Sequence, residues 1–117
     1  MQYMMLIYLD ENSITDEQRA RCYQDSARYA RQLQMEGKCL AVAPLQPTLT
    51  ATSIRHREGK PVVTDGPFAE TREQLGGFFL VNAANLDEAL DIAGKIPAGR
   101  WGTVEVRPVL EISGLPS

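Results

Sequence analysis

Val63-Thr64-Asp65-Gly66-Pro67-Phe68-Ala69-Glu70-Thr71-Arg72-Glu73-Gln74-Leu75-Gly76-Gly77-Phe78-Phe79 lies mid-chain and joins the two halves of the molecule. Asp65-Gly66-Pro67 is a turn signal, because Asp bonds its own backbone, Gly allows positive φ and Pro presets φ. Beyond the turn the stretch leads into Gly77–Asn82, where Phe78 and Leu80 alternate with Phe79 and Val81. A short run apolar on both faces reads as a strand buried at the centre of a sheet. Residues 2–9 read the same way, with Tyr3, Met5, Ile7 and Leu9 against Met4, Leu6 and Tyr8.

Working outward, a helix is expected from Thr15 to about Glu36. Thr15 with Gln18 three residues on is a capping box, and Asp16 and Glu17 suit the first turn. Ala20, Tyr23, Ala27, Ala30 and Leu33 form its apolar stripe, and Gly37 supplies the left-handed exit. Cys39–Leu45 reads as a strand that Pro44 demotes to a sheet edge. Ala51–Arg57 and Lys60–Thr64 flank Glu58-Gly59 as a hairpin arm, more polar than the other strands. Asn85 and Glu88 open a second helix as another capping box; Leu86, Ala89, Leu90, Ala93 and Ile96 give its stripe, and Pro97 ends it. Thr103–Leu110 alternates as a last strand, with Val104 and Val106 on one face and Glu105 and Arg107 on the other.

Strand–helix–strand, arm, strand–helix–strand is an α+β order: a ferredoxin-like split βαβ with an inserted β-hairpin. That topology places the first and third core strands at the centre, and these are the two runs apolar on both faces. Two helices cover only one face of a four-stranded sheet. The other face would expose more apolar surface than monomers normally show. A second copy packed sheet against sheet about a two-fold axis covers it, so a homodimer forming a dimeric α/β barrel is expected.

The chain has 117 residues, enough for one domain, expected over residues 1–112 with a flexible tail at 113–117. With 12 basic and 15 acidic residues the net charge is −3, and no basic run or face marks a nucleic-acid partner. The apolar start, residues 1–10, is far shorter than the roughly 20 residues of a spanning helix. It also lacks the charged region and cleavage site of a secretory signal, so no membrane partner and a cytoplasmic location are expected. Cys22 and Cys39 match no zinc or redox spacing and read as free thiols. His56 is the only histidine, so neither a metal site nor a Ser-His-Asp arrangement is supported, and no motif implies a cofactor.

Asp65-Gly66-Pro67-Phe68-Ala69-Glu70-Thr71-Arg72-Glu73-Gln74-Leu75-Gly76-Gly77-Phe78 resembles the signature of the YCII-related, DGPF-domain proteins. Tyr3-Met4-Met5-Leu6-Ile7-Tyr8, Pro44-Leu45-Gln46-Pro47 and Val104-Glu105-Val106-Arg107-Pro108 are also similar to that family. The resemblance spans nearly the whole chain. It implies a dimeric α/β barrel of ferredoxin-like subunits, in a family of largely unassigned biochemical activity. More distant YCII-like proteins carry a helix histidine proposed to pair with the motif aspartate. Here the first helix has none, and Ser26 stands about where it would sit, so a His–Asp dyad is unavailable.

Asp65 is the leading catalytic candidate. Set against Phe68, Phe78 and Phe79, its carboxylate would have a raised pKa and act as general acid or base in a dimer-enclosed cleft. The alternative is a structural Asx-turn. Glu70 and Arg72 form either a rim that grips an anionic ligand or a solvated loop, and Thr71 with Gln74 suits the cap of a short helical turn. Gly76-Gly77 reads as a close backbone approach, to a ligand or a partner subunit. Glu105 and Arg107 would face the dimer interior, paired with each other, with the partner or with a ligand. Arg100-Trp101 either stacks a planar ligand or simply packs. Three functions follow: a small-molecule enzyme using Asp65, a non-catalytic ligand-binding or regulatory dimer, or a purely structural dimer.

Overall fold

Strand β1, Gln2–Leu9, lies between two antiparallel neighbours: β5, Gln74–Asn82, and β6, Gly102–Pro108. On the far side of β5 lies the edge strand β2, Cys39–Pro44. The sheet order β2-β5-β1-β6 is that of the split βαβ, with the two doubly apolar strands central as expected. The computed structural model describes residues 1–116. The expected loose tail ends at Ser117, which lies outside them.

Helices α1, Asp16–Met35, and α2, Leu86–Gly94, cover one face of the sheet. Tyr3, Met5, Ile7, Phe79 and Val81 point under them and are buried, with Met5 and Val81 fully sealed. The helix ends follow the capping chemistry. The Thr15 hydroxyl accepts from the Gln18 N–H at 3.1 Å while the Gln18 side chain accepts from the Thr15 N–H at 3.0 Å. On α2 the Asn85 side chain accepts from the Glu88 N–H at 2.9 Å, so that cap is one-sided rather than a full box.

The inward face of α1 differs from the expected stripe. Cys22, Ala30 and Leu33 are buried, whereas Ala20, Tyr23 and Ala27 are exposed. Tyr23 and Ala27 instead border a groove between α1 and β2. Ala93 and Ile96 of the α2 stripe are buried, but Leu86 and Leu90 stay half exposed and Ile92 takes a core position.

The glycine pair resolves within the chain. A Cβ on Gly77 would stand 2.9 Å from the Ala43 carbonyl oxygen and 3.2 Å from the Pro44 Cα. Glycine therefore lets β2 close onto the sheet, and the approach expected for a ligand or partner is to the chain's own edge strand. β5 also begins earlier than expected, at Gln74, with a register irregularity opposite Ile7 and Tyr8.

Strands β3, Thr52–Arg57, and β4, Lys60–Asp65, form a separate two-stranded arm. Glu58 and Gly59 both take positive φ, 51° and 77°, as a two-residue hairpin turn requires. The molecule measures 47 × 43 × 20 Å. Its thin dimension is that of a sheet with one helical layer. Among the described residues, no helix is long and apolar enough to cross a membrane.

Candidate functional site

At the end of β1 the chain enters a loop whose Glu11 carboxylate is held from two directions. One oxygen accepts the Thr48 N–H at 2.9 Å and the other the Thr48 hydroxyl at 2.8 Å. The Glu11 N–H donates to the Gln74 side-chain oxygen at 2.9 Å. Gln74 in turn donates to the Thr71 carbonyl, and the Thr71 hydroxyl donates to the Glu73 carbonyl at 2.6 Å. Thr71 and Gln74 thus close an irregular turn, not the helical turn expected of them.

This network forms the floor of a cleft of about 580 Å³ lined by Glu11, Asn12, Thr48, Asp65, Glu70 and Thr71. Asp65 reaches it from the root of the arm, where it pairs with Thr52. Its carboxylate is solvent-exposed and accepts no hydrogen bond among the described residues, so no Asx-turn occupies it. Nor does it lie against aromatic rings: Phe79 lines a different cavity, Phe78 lies on the sheet face without helices, and Phe68 is 77% exposed beside the arm. Glu70 and Arg72 are exposed on the same connector.

A neck of about 40 Å³ shares Glu11 and Gln74 with the cleft and contains Leu9, Arg19, Cys22, Tyr23 and Gly76. Leu9, Cys22, Tyr23 and Gly76 continue into the groove beneath α1, about 400 Å³ in volume. Its walls are Ile7, Ala27, Val42 and Phe79, with the Ser26 hydroxyl among the few polar groups. Burial pushes the Cys22 thiol up, the nearby Ser26 hydroxyl offsetting this only in part, so the groove holds a neutral thiol rather than a thiolate nucleophile. Cys39 is also free and raised by burial.

The remaining candidates sit elsewhere. Glu105 and Arg107 lie opposite Leu6 and Met4 of β1, on the sheet face without helices. Glu105 accepts the Tyr8 hydroxyl at 3.2 Å; burial and then that hydrogen bond push the Tyr8 phenol up. Glu105 and Arg107 make no ion pair with each other among the described residues. Arg100 stacks 5.8 Å from the Trp101 ring centre and approaches Asp25 at 3.6 Å, so that pair packs the turn before β6 against α1. His56 is exposed on β3 opposite Pro61.

The family model for the YCII-related domain matches residues 1–113. The chain belongs to the YCII-related family. An uncharacterized protein of Rhizobium meliloti (strain 1021) is 44% identical over 115 residues, covering 93% of this chain and 92% of that one. In fold, this YCII-related chain is similar to a 5-chloro-2-hydroxyhydroquinone dehydrochlorinase of Burkholderia phenoliruptrix AC1100, solved with 2,5-dihydroxybenzoquinone. The TM-score is 0.56 at 16% identity, covering 94% of each chain. At that identity the likeness concerns the fold alone.

Glu11 was not legible as a site residue. A carboxylate in a strand-exit loop carries no periodic signal, and its partners are 37 and 63 residues away in sequence. Tyr23 and Ala27 as groove walls escaped for a similar reason, since helical spacing reads a groove wall and a core stripe alike.

Proposed function

We propose that this YCII-related protein is a small-molecule enzyme working by acid–base chemistry. Asp65 transfers the proton at the polar cleft while the apolar part of the substrate occupies the groove beneath α1. The observation that carries this reading is that the polar cleft and the apolar groove each share walls with one small cavity between them. Asp65 and Glu11 line the cleft, Glu11 and Gln74 also line the small cavity beside it, and Leu9, Cys22, Tyr23 and Gly76 belong both to that cavity and to the apolar groove of about 400 Å³. Pockets that take small ligands run from roughly 300 to 1,000 Å³ with a few placed polar groups. The structural neighbour solved with a dihydroxybenzoquinone gives the class of ligand to try first, a small oxygenated ring. A bound ring brings its exchangeable proton within reach of the Asp65 carboxylate, which accepts it as general base and returns it as general acid. Glu70 and Arg72 rim the cleft, and Phe68 flanks the connector that carries Asp65.

The working form in this proposal is a homodimer, a dimeric α/β barrel, in the cytoplasm, whose reducing conditions suit two free thiols. Met4, Leu6, Tyr8, Phe78 and Leu80 form the sheet face that no helix covers. Paired sheets bury that face and bring Glu105 and Arg107 of each copy into the shared interior.

The test uses 2,5-dihydroxybenzoquinone as probe and follows solvent deuterium wash-in at its ring carbons. Wild type accelerates the exchange, and Asp65→Asn loses about 100-fold or more while still binding, the usual scale of one acid–base group. Ala27→Trp fills the groove and abolishes binding. Binding without accelerated exchange would favour the second reading, a non-catalytic ligand-binding or regulatory module using the same groove.

A further inference from the structure

We propose that Glu105 of each copy pairs with the partner's Arg107 across a two-fold axis, so that two opposed ion pairs set how the open sheet faces meet. The inference rests on the dimer proposed above and adds to it the orientation of the two sheets and the residues that select it.

The chain is 23% charged, yet the four strands of the main sheet hold only two charged side chains, Glu105 and Arg107. Both lie on the face without helices, opposite Leu6 and Met4. Around them that face presents Tyr8, Phe78 and Leu80. Few charges, with Met, aromatic and Arg side chains in their place, is the composition of the core of a protein interface. Desolvation there requires each remaining charge to meet an opposite one. The two do not satisfy each other within one chain, since no ion pair joins them among the described residues. Tyr8, which stands opposite Thr103, draws Glu105 toward that end of β6 through its 3.2 Å hydrogen bond, away from Arg107.

One cation and one anion select the occupant. A polyanion or an anionic membrane would set like charge against Glu105. An apolar peptide would desolvate both charges and pair neither. A second copy supplies one opposite charge for each, because in a two-fold contact residue i meets residue j and j meets i.

The strand register fixes where the axis lies. Val42, Phe79, Met5 and Val106 form one row across the sheet. On either side of it the open face carries a further row, Ala43-Phe78-Leu6-Glu105 on one and Ala41-Leu80-Met4-Arg107 on the other. A two-fold axis along the middle row lays the first of these on the second row of the other copy. Phe78 then meets Leu80, Leu6 meets Met4 and Glu105 meets Arg107, with the strands aligned as in face-to-face sheets. An axis along the strands at the sheet centre instead lays β6 over β2 of the other copy. There the two charges face Ala43 and Ala41, and neither is paired. The ion pairs thus discriminate between two ways of closing the same apolar face.

Sedimentation of full-length chains tests this. Glu105→Arg and Arg107→Glu each bring like charges together twice per dimer, and each is expected to raise the dimer dissociation constant about 100-fold or more. Mixed in equal amounts, the two variants match opposite charges at both contacts and should recover a heterodimer within about tenfold of wild type. Arg107→Lys keeps the charge, and carbodiimide coupling in that variant should join positions 105 and 107 in a covalent dimer, a readout that needs no charge reversal. Failure to recover on mixing overturns the pairing; recovery in the double swap Glu105→Arg/Arg107→Glu alone then assigns the ion pair to a single chain. Single reversals that dimerise like wild type, or coupling confined to monomers, also overturn the pairing and leave the dimer standing. A wild type that stays monomeric at micromolar concentration overturns dimer and pairing together, while deuterium wash-in with Asp65→Asn tests the acid–base reading separately.

Discussion

β5 and β3 are both strands with large apolar side chains, yet one lies at the centre of the sheet and the other in an exposed arm. In β5, Phe79 is 1% exposed and Val81 is sealed between β1 and the helices. In β3, Ile54 is 61% exposed with only β4 beside it. The side chains are of similar kind, and the neighbours differ. Strand propensity describes fitness for a half-buried pleated surface, and it does not say whether a second layer exists. In the body α1 and α2 supply that layer; in the arm nothing within the chain does.

Three substitutions press on this contrast. The largest effect is expected at Phe79→Ala, which empties a site packed against Met5 in register and against Tyr29, whose ring centre is 6.2 Å away. A loss of about 3–5 kcal/mol in denaturant unfolding is expected; a loss under about 1 kcal/mol would show that β5 is no more central than β3.

Tyr29→Phe comes next. Its hydroxyl donates to the Ile92 carbonyl at 2.8 Å and ties α1 to α2, so removal should cost about 1 kcal/mol. The phenol also titrates. Burial, helped by the Asp91 and Glu36 charges, pushes it up to about 12. An unfolded tyrosine ionises near about 10, so the unfolded state releases this proton first. Stability is full below that pH and falls as pH rises through about 12. The variant should show a flatter stability profile across that alkaline window, and identical profiles would remove the burial argument for the α1–α2 seam.

The smallest effect is expected at Ile54→Ser. In dissociated monomers at low concentration, the change in unfolding free energy should stay within about 0.5 kcal/mol, as for exposed positions generally. A loss comparable to that at Phe79 would mean that the arm is already covered within one chain, and the contrast would collapse.

How much was readable in advance follows the range of each interaction. Thr15 with Gln18 and Asn85 with Glu88 act across three residues, so both helix starts were visible. The central strands were visible because a short run apolar at every position reports burial of both faces without naming the covering element. The face of α1 was misjudged because its alanines and Tyr23 fit helical spacing equally well as core or groove wall. The setting of Asp65 was misjudged because proximity in sequence to Phe68 and Phe78 does not bring a carboxylate against those rings once a connector turns between them.

By itself, then, the sequence determined the order of elements, their caps and the two central strands, since these depend on periodicity and on bonds closed within one turn. Only the tertiary structure decided that Glu11 meets Thr48 and Gln74, that Gly77 admits Ala43, and that cleft and groove share walls with one small cavity. Those facts depend on where distant segments come to rest, and chain packing sets that position through interactions that no local pattern encodes.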